Sequence, residues 1–158
     1  MASSSLSTRV RSNYDVFLSF RGSDTRHVLV SFLYKDLLSK GILTFKDDQG
    51  LEAGGQISER LIEAINNSRF AVVVISENYA TSRWCLEELR LIMELHSVNR
   101  IKVVPIFYGV APSDVRHQTG RFAADFQMHE DRNPSRASQW RRALNQVANI
   151  SGFDSAIW

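Results

Sequence analysis

The stretch "RFAVVVISENYATSRWCLEELRLIMEL", Arg69 to Leu95, decides the fold. Phe70 to Ile75 is an unbroken apolar run rich in valine, the composition of a strand covered on both faces. From Thr81 the period changes. At about 100° per residue, Cys85, Leu86, Leu89, Ile92, Met93 and His96 gather on one face of a helix. A fully covered strand leading into an amphipathic helix is half of a β-α-β unit, and it predicts a parallel sheet.

The alternation continues in both directions. Upstream, "YDVFLS" (Tyr14 to Ser19) reads as a first strand and runs into the turn "FRGSDTR". "RHVLVSFLYKDLLSKG" (Arg26 to Gly41) carries Leu29, Leu33, Leu37 and Val30, Tyr34, Leu38 at helical spacing, with Lys40 and Gly41 as a stop signal. "ILTF" is a second strand, "KDDQGLEAGGQ" a loop rich in glycine and acids, and "ISERLIEAINNS" a second helix. Downstream, "IKVVPIFYGV" is a fourth strand, in which Pro105 predicts a bulge or a missing ladder bond. "GRFAADFQMHE" and "ASQWRRALNQVANISG" are further helical segments, parted by the turn-like "DRNPS". Four strand-helix alternations with short connections predict an α/β, doubly wound parallel sheet of four to five strands flanked by helices. With no repeat and no linker, one domain is expected over residues 14–158, behind a disordered lead-in over 1–13.

The totals narrow the function. The chain has 158 residues, 44% hydrophobic and 23% charged, with a net charge of +2, the profile of a globular domain with a sizeable core. No lysine or arginine cluster is interleaved with stacking aromatics, so nucleic acid is not an expected partner. The longest apolar run is far too short for a membrane span. "MASSSLSTRVRSN" is rich in serine, basic and free of acids; it has the composition of a transit peptide, but it is short and lacks an apolar face, so it reads as a disordered lead-in. The single cysteine fits a reducing compartment.

In a doubly wound sheet, ligands sit where loops leave the carboxyl ends of strands, at the switch in strand order. Three segments meet there: "FRGSDTR", "KDDQGLEAGG" and "SENYATSRW". The helix beyond the last of these carries two adjacent glutamates. Glu87 falls near the middle of the wet face with Arg83 and Arg90 one turn away, an ordinary solvated ion-pair position. Glu88 lies at the border of the apolar stripe, one turn after Trp84, with no basic residue at i±3 or i±4. An acid in that position needs a reason. Arg21 follows a strand end directly and precedes Gly22, where backbone can approach an anion closely. Trp84 reads as a packing anchor, a ligand platform, or both.

Other chemistries are poorly supported. "GLEAGG" lacks the Lys-Ser/Thr of a nucleotide-triphosphate loop. Asp47 and Asp48 are not part of a spaced series of oxygen ligands. His27, His96, His117 and His129 show no zinc spacing. Cys85 lies on the buried stripe, where a thiol is usually inert. No metal site is expected.

Taken together, "YDVFLSFRGSDTR", "GILTFKDD", "AINNSRFAVVVISENYATSRWCLEEL", "VVPIFYGVAPSDVRHQTGRF" and "WRRALNQVANISGF" resemble a plant Toll/interleukin-1 receptor (TIR) domain, in the family's order and spacing from Tyr14 to Phe153. The resemblance implies a flavodoxin-like sheet and a cytoplasmic or nucleo-cytoplasmic place in plant innate immunity. It also implies cleavage of the nicotinamide–ribose bond of NAD⁺ or NADP⁺, as substrate and with no cofactor, upon self-association. By that resemblance Glu88 is the catalytic acid. Arg21, Gly22, Ser23, Asp24, Thr25 and Arg26 of the first loop, and Gly54 of the second, contact the dinucleotide. The alternative is a non-catalytic adaptor that recruits other TIR domains.

The chemistry fits a lone acid. Glycosidases generally use two carboxylates because one must protonate a poor leaving group. Nicotinamide bonded to ribose is already cationic and departs neutral. One carboxylate beside the ribose is then enough to stabilise an oxocarbenium-like centre.

The sequence also departs from its relatives. Many carry Ser-His in the first helix at a self-association face, and here the pair is Ser31-Phe32. An arginine often precedes the second-loop glycine, where this chain has Leu51-Glu52-Ala53-Gly54. The frequent Val-Asp-Pro-Ser is "VAPS", with Ala111 in place of the acid. Relatives continue through a last helix, which is expected to be missing from a chain ending at Trp158.

Overall fold

A computed structural model describes residues 14–22, 29–46 and 58–157. Strand β1 (Tyr14–Ser19) is followed by helix α1 (Ser31–Ser39), β2 (Thr44–Lys46), α2 (Glu59–Asn66) and β3 (Ser68–Ile75). A 3-10 turn (Tyr79–Thr81) leads into α3 (Arg83–Ser97) and β4 (Lys102–Phe107). Three helices follow, α4 (Pro112–His117), α5 (Arg121–Arg132) and α6 (Pro134–Ala148), before the two-residue β5 (Phe153–Asp154).

All five strands are parallel, in the order β2-β1-β3-β4-β5. This is the flavodoxin-like order, whose switch point lies between β1 and β3. The side-chain period of two sends alternate residues to opposite layers. Phe17, Ala71, Val73, Ile75 and Phe107 join the larger core with α2, α3 and α6, and Leu86, Leu89 and Ile92 of α3 are wholly buried in it. Burying each such side chain contributes about 1.5–3 kcal/mol. Val16, Leu18, Phe20, Val74 and Ile106 face the other way, against Leu33, Tyr34 and Leu37 of α1.

Helix starts follow local chemistry. The Ser58 and Ser82 side chains accept from the backbone amides of Leu61 and Cys85 and cap α2 and α3. The "DRNPS" turn is reduced to one residue: Asn133 ends α5 and caps α6, with Pro134 at the first helical position. Helix α4 has no counterpart in the periodicity of the sequence. Six residues are too few to show a period.

Pro105 does not break its ladder. The β3–β4 register runs through Val72↔Val104, Val73↔Pro105 and Val74↔Ile106 without a bulge. On its other side is Gly152, where an added Cβ would stand 2.1 Å from the Pro105 carbonyl oxygen. The N and C=O of one residue point to the same neighbouring strand, so the missing N–H faces Gly152 and not β3. Pairing with β5 begins only at Ile106↔Phe153, one residue further on.

Candidate active site

Glu88 is on the second turn of α3, and its residue is 7% exposed. The border position expected from the helical wheel is corrected by the fold: the carboxylate lies inside the protein, against the carboxyl end of β1. Ser19 Oγ donates to Glu88 Oε1 at 2.9 Å, so the acid is partnered, by a hydroxyl. Ser19 is the last residue of β1 and is itself fully buried. Its register partner across the switch point is Val73 of β3. The acid therefore stands where such sheets bind ligands.

Tyr79 completes the arrangement. It is wholly buried in the 3-10 turn. Its hydroxyl lies 2.8 Å from Ser19 Oγ and 3.1 Å from the Cys85 carbonyl oxygen, to which it can donate. A carboxylate only accepts, so the Ser19 proton goes to Glu88, and the one Tyr79 proton is shared between the Ser19 oxygen and the Cys85 carbonyl. Burial, then the nearby Cys85 and Glu88, pushes the Tyr79 hydroxyl well above its ordinary 10.0, although the Ser19 contact pulls the other way. Tyr79 thus keeps its proton and remains a donor. Cys85 Sγ adds a weaker contact at 3.5 Å to the Phe20 carbonyl. Together these bonds stitch the end of β1 to the first two turns of α3.

Neither Ser19 nor Tyr79 was legible as a site residue. The available signal was the hydroxyl of Ser19 inside "VFLSF", a run otherwise apolar.

Arg21 and Gly22 leave the carboxyl end of β1 and are half-buried. Ser23, Asp24, Thr25, Arg26 and Gly54 lie outside the described residues, as do Ala53 and the paired Asp47 and Asp48. Trp84 is buried at 7% exposure in the first turn of α3, the setting of a packing anchor. Two of the histidines are engaged with backbone carbonyls: His96 Nδ1 lies 3.3 Å from Ile101 O, and His129 Nε2 lies 2.7 Å from Ala80 O. Among the described residues no group of three acids, histidines or cysteines is arranged to hold a metal ion. A polar groove of about 350 Å³ between α3 and α6, lined by Arg90, Glu94, Gln139 and Arg142 among others, opens on the far side of α3 from Glu88.

Glu87 also departs from expectation. Its side chain is 12% exposed and not solvated. Arg90 Nε donates to it at 3.0 Å and Trp140 Nε1 at 3.1 Å, and Arg136 ion-pairs with its other oxygen. Arg90 also pairs with Glu94. Two of the three partners of Glu87 belong to α6, about fifty residues along the chain, where the wheel of α3 alone could not show them. Its carboxyl sits below its ordinary 4.5. Burial pulls it up, and hydrogen bonds from Arg90 and Trp140 with the charges of Arg90 and Arg136 more than offset that.

A five-stranded sheet in 2-1-3-4-5 order with a buried glutamate at its switch point is the frame of a TIR domain, and the TIR domain family model matches residues 13–158. The chain belongs to that family. It is 53% identical over 155 residues to the TMV resistance protein N of Nicotiana glutinosa, covering 96% of this chain and 13% of that protein. It is 49% identical over 140 residues to the disease resistance protein RPV1 of Vitis rotundifolia, covering 89% of this chain and 10% of that one. Among solved structures, the TIR domains of the activated Roq1 resistosome, which directly recognises the pathogen effector XopQ, are 52% identical. They superpose with a TM-score of 0.82, covering 90% of this chain and 87% of that one. The chain thus spans only 10% to 16% of the length of the curated relatives it matches. No helix among the described residues is long and apolar enough to cross a membrane.

Proposed function

We propose that this TIR domain acts in plant innate immunity by cleaving the nicotinamide–ribose bond of NAD⁺ or NADP⁺ when copies self-associate. The observation that carries the reading is the position of Glu88, buried at the switch point and held by Ser19 at the end of β1. Water is largely excluded there, so a carboxylate acts on nearby charge more strongly than it would in solvent. As the C–N bond breaks, positive charge grows on the ribose carbon, and a fixed carboxylate stabilises that charge without reorganising. The pyridine leaves neutral with the C–N electron pair, so no second acid is needed. The oxygen of a water or substrate hydroxyl bonds to the ribose carbon in its place and releases its proton to solvent. Ser19 and Tyr79 fix the direction in which the carboxylate faces. Arg21 and Gly22, directly beyond β1, are the described residues suited to meet the phosphates, through a guanidinium and an accessible backbone. Self-association is supported by the resistosome setting of the Roq1 TIR domains.

A second reading has its own supporting observation. Phe32 on α1 is 78% exposed, an aromatic presented to solvent at the family's self-association face. A domain that works only through such contacts would be an adaptor that recruits other TIR domains without chemistry. The two readings separate in one assay. Protein clustered on a surface is given NAD⁺ or NADP⁺ and nicotinamide is measured. The enzyme reading expects release by the wild type and none by Glu88→Ala. No release by correctly folded, clustered wild type would leave the adaptor.

A further inference from the structure

Glu87 and Glu88 are neighbours in sequence but lie about 100° apart around α3, so they face different partners. Glu88 faces β1, where Ser19 holds it. Glu87 faces α6, where Trp140 Nε1 and Arg136 hold it, while Arg90 braces it from its own helix. The two sets of contacts join into a loop. The Trp140 ring meets His129 edge to face at 5.1 Å. His129 Nε2 lies 2.7 Å from the Ala80 carbonyl oxygen, inside the turn that carries Tyr79. Tyr79 reaches Ser19, and Ser19 reaches Glu88.

We infer that Glu87 is a positioning residue for Glu88: its bonds to Trp140 and Arg136 seat α3 on α6 and so fix the rotation at which Glu88 meets the carboxyl end of β1. The inference rests on the proposed NAD(P)⁺ cleavage for its catalytic consequence, although the seating of α3 is a claim about the fold itself. A helix held from the sheet side alone, by apolar contacts and the few bonds of its first two turns, can still roll by a fraction of a turn. Charged hydrogen bonds from a second direction remove that freedom. A small roll would carry the Glu88 carboxylate away from the reacting carbon, and misplacements of this size cost about a hundredfold in rate.

The test uses the full chain and two variants chosen to keep the shape of the site. Trp140→Phe removes the N–H and retains a ring. Glu87→Gln retains an acceptor for Trp140 and removes the charge. One readout is kcat and KM for NAD⁺ cleavage by clustered protein. The other is independent of activity. Cys85, the single cysteine, is buried on α3 with its thiol against the end of β1. Its labelling by dithiobis(nitrobenzoate) under native conditions therefore reports local lifting of α3.

For Trp140→Phe, kcat is expected to fall and Cys85 labelling to rise, each by about tenfold, the factor that one lost hydrogen bond to a charged acceptor carries. KM should stay within about twofold, because the groups that meet the dinucleotide are untouched. Glu87→Gln should fall between this variant and the wild type. The inference is overturned if labelling and kcat are unchanged in both variants. It is also overturned if activity falls only in proportion to the fraction of protein folded. If the wild type cleaves nothing, the proposed activity fails, and the labelling rates alone decide whether Glu87 seats α3.

Discussion

The Ser19 hydroxyl gives its proton to Glu88 across 2.9 Å, joining the last residue of β1 to the second turn of α3. This bond explains why an acid can stand inside the protein at a strand end. A buried carboxylate without a donor would cost several kcal/mol, and here a hydroxyl, itself backed by Tyr79, meets it. The polar group at the end of β1 and the acid on α3 are therefore one feature, built from residues 69 positions apart.

Ser19→Ala removes one donor to Glu88 and leaves Tyr79 the Cys85 carbonyl. Clustered protein carrying this change is expected to cleave NAD⁺ about tenfold more slowly, with a stability loss of about 1–2 kcal/mol from the lost hydrogen bond to a charged acceptor. Tyr79→Phe, which disturbs the same chain one step further out, should cost less in rate. Measured rates in the reverse order would contradict the assigned direction of the bonds.

Glu87 is expected to make stability depend on pH with a defined sign. Its folded pKa is depressed below 4.5, so its contribution is complete above that value and is lost as pH falls through the folded pKa. At neutral pH, Glu87→Ala should lower stability by about 2–3 kcal/mol. Urea unfolding of wild type and Glu87→Gln should show a gap at neutral pH that narrows at pH ~3. A gap that widens in acid would reverse the sign assigned here.

Gly152→Ala tests the close approach between the β5 lead-in and β4. The new methyl would meet the Pro105 carbonyl oxygen at 2.1 Å, and neither backbone can yield without moving β5. A loss of about 2–3 kcal/mol is expected, the upper part of the range for overpacking. Thermal unfolding measures it, and an unchanged midpoint would mean that β5 does not pack as described.

Much of the architecture could be read from the chain because it is written in periods. The valine run of β3 and the 3.6-residue stripe of α3 are local signals, and their alternation gave the parallel sheet. Glu88 stood out because its place on the wheel of α3 conflicts with its charge. What could not be read was nonlocal. Ser19 and Tyr79 are single hydroxyls that acquire meaning only when β1 and the 3-10 turn meet. Glu87 looked solvated because the indole and guanidinium that cover it, from Trp140 and Arg136, arrive from α6. Pro105 looked like a ladder break because the chain does not say which side of β4 its nitrogen faces.

Phe32, at 78% exposure, contributes little to the fold and is available for association. Phe32→Ala is expected to leave the thermal midpoint within about 1–2 °C of the wild type, as for surface changes in general. It should reduce self-association, measured by sedimentation velocity, and should reduce nicotinamide release in solution more than release by artificially clustered protein. Equal loss in both formats would place the effect of Phe32 outside association.

The most direct measurement concerns Glu88 itself. Glu88→Gln preserves the size of the side chain and an oxygen for Ser19 while removing the charge. With clustered protein, binding of NAD⁺ and its single-turnover cleavage are measured side by side. Binding is expected within about threefold of the wild type and cleavage slowed by about a thousandfold or more, the loss that follows when the charge facing a developing cation is removed. Cleavage within about tenfold of the wild type would contradict the assignment of Glu88 as the acid that stabilises the ribosyl cation.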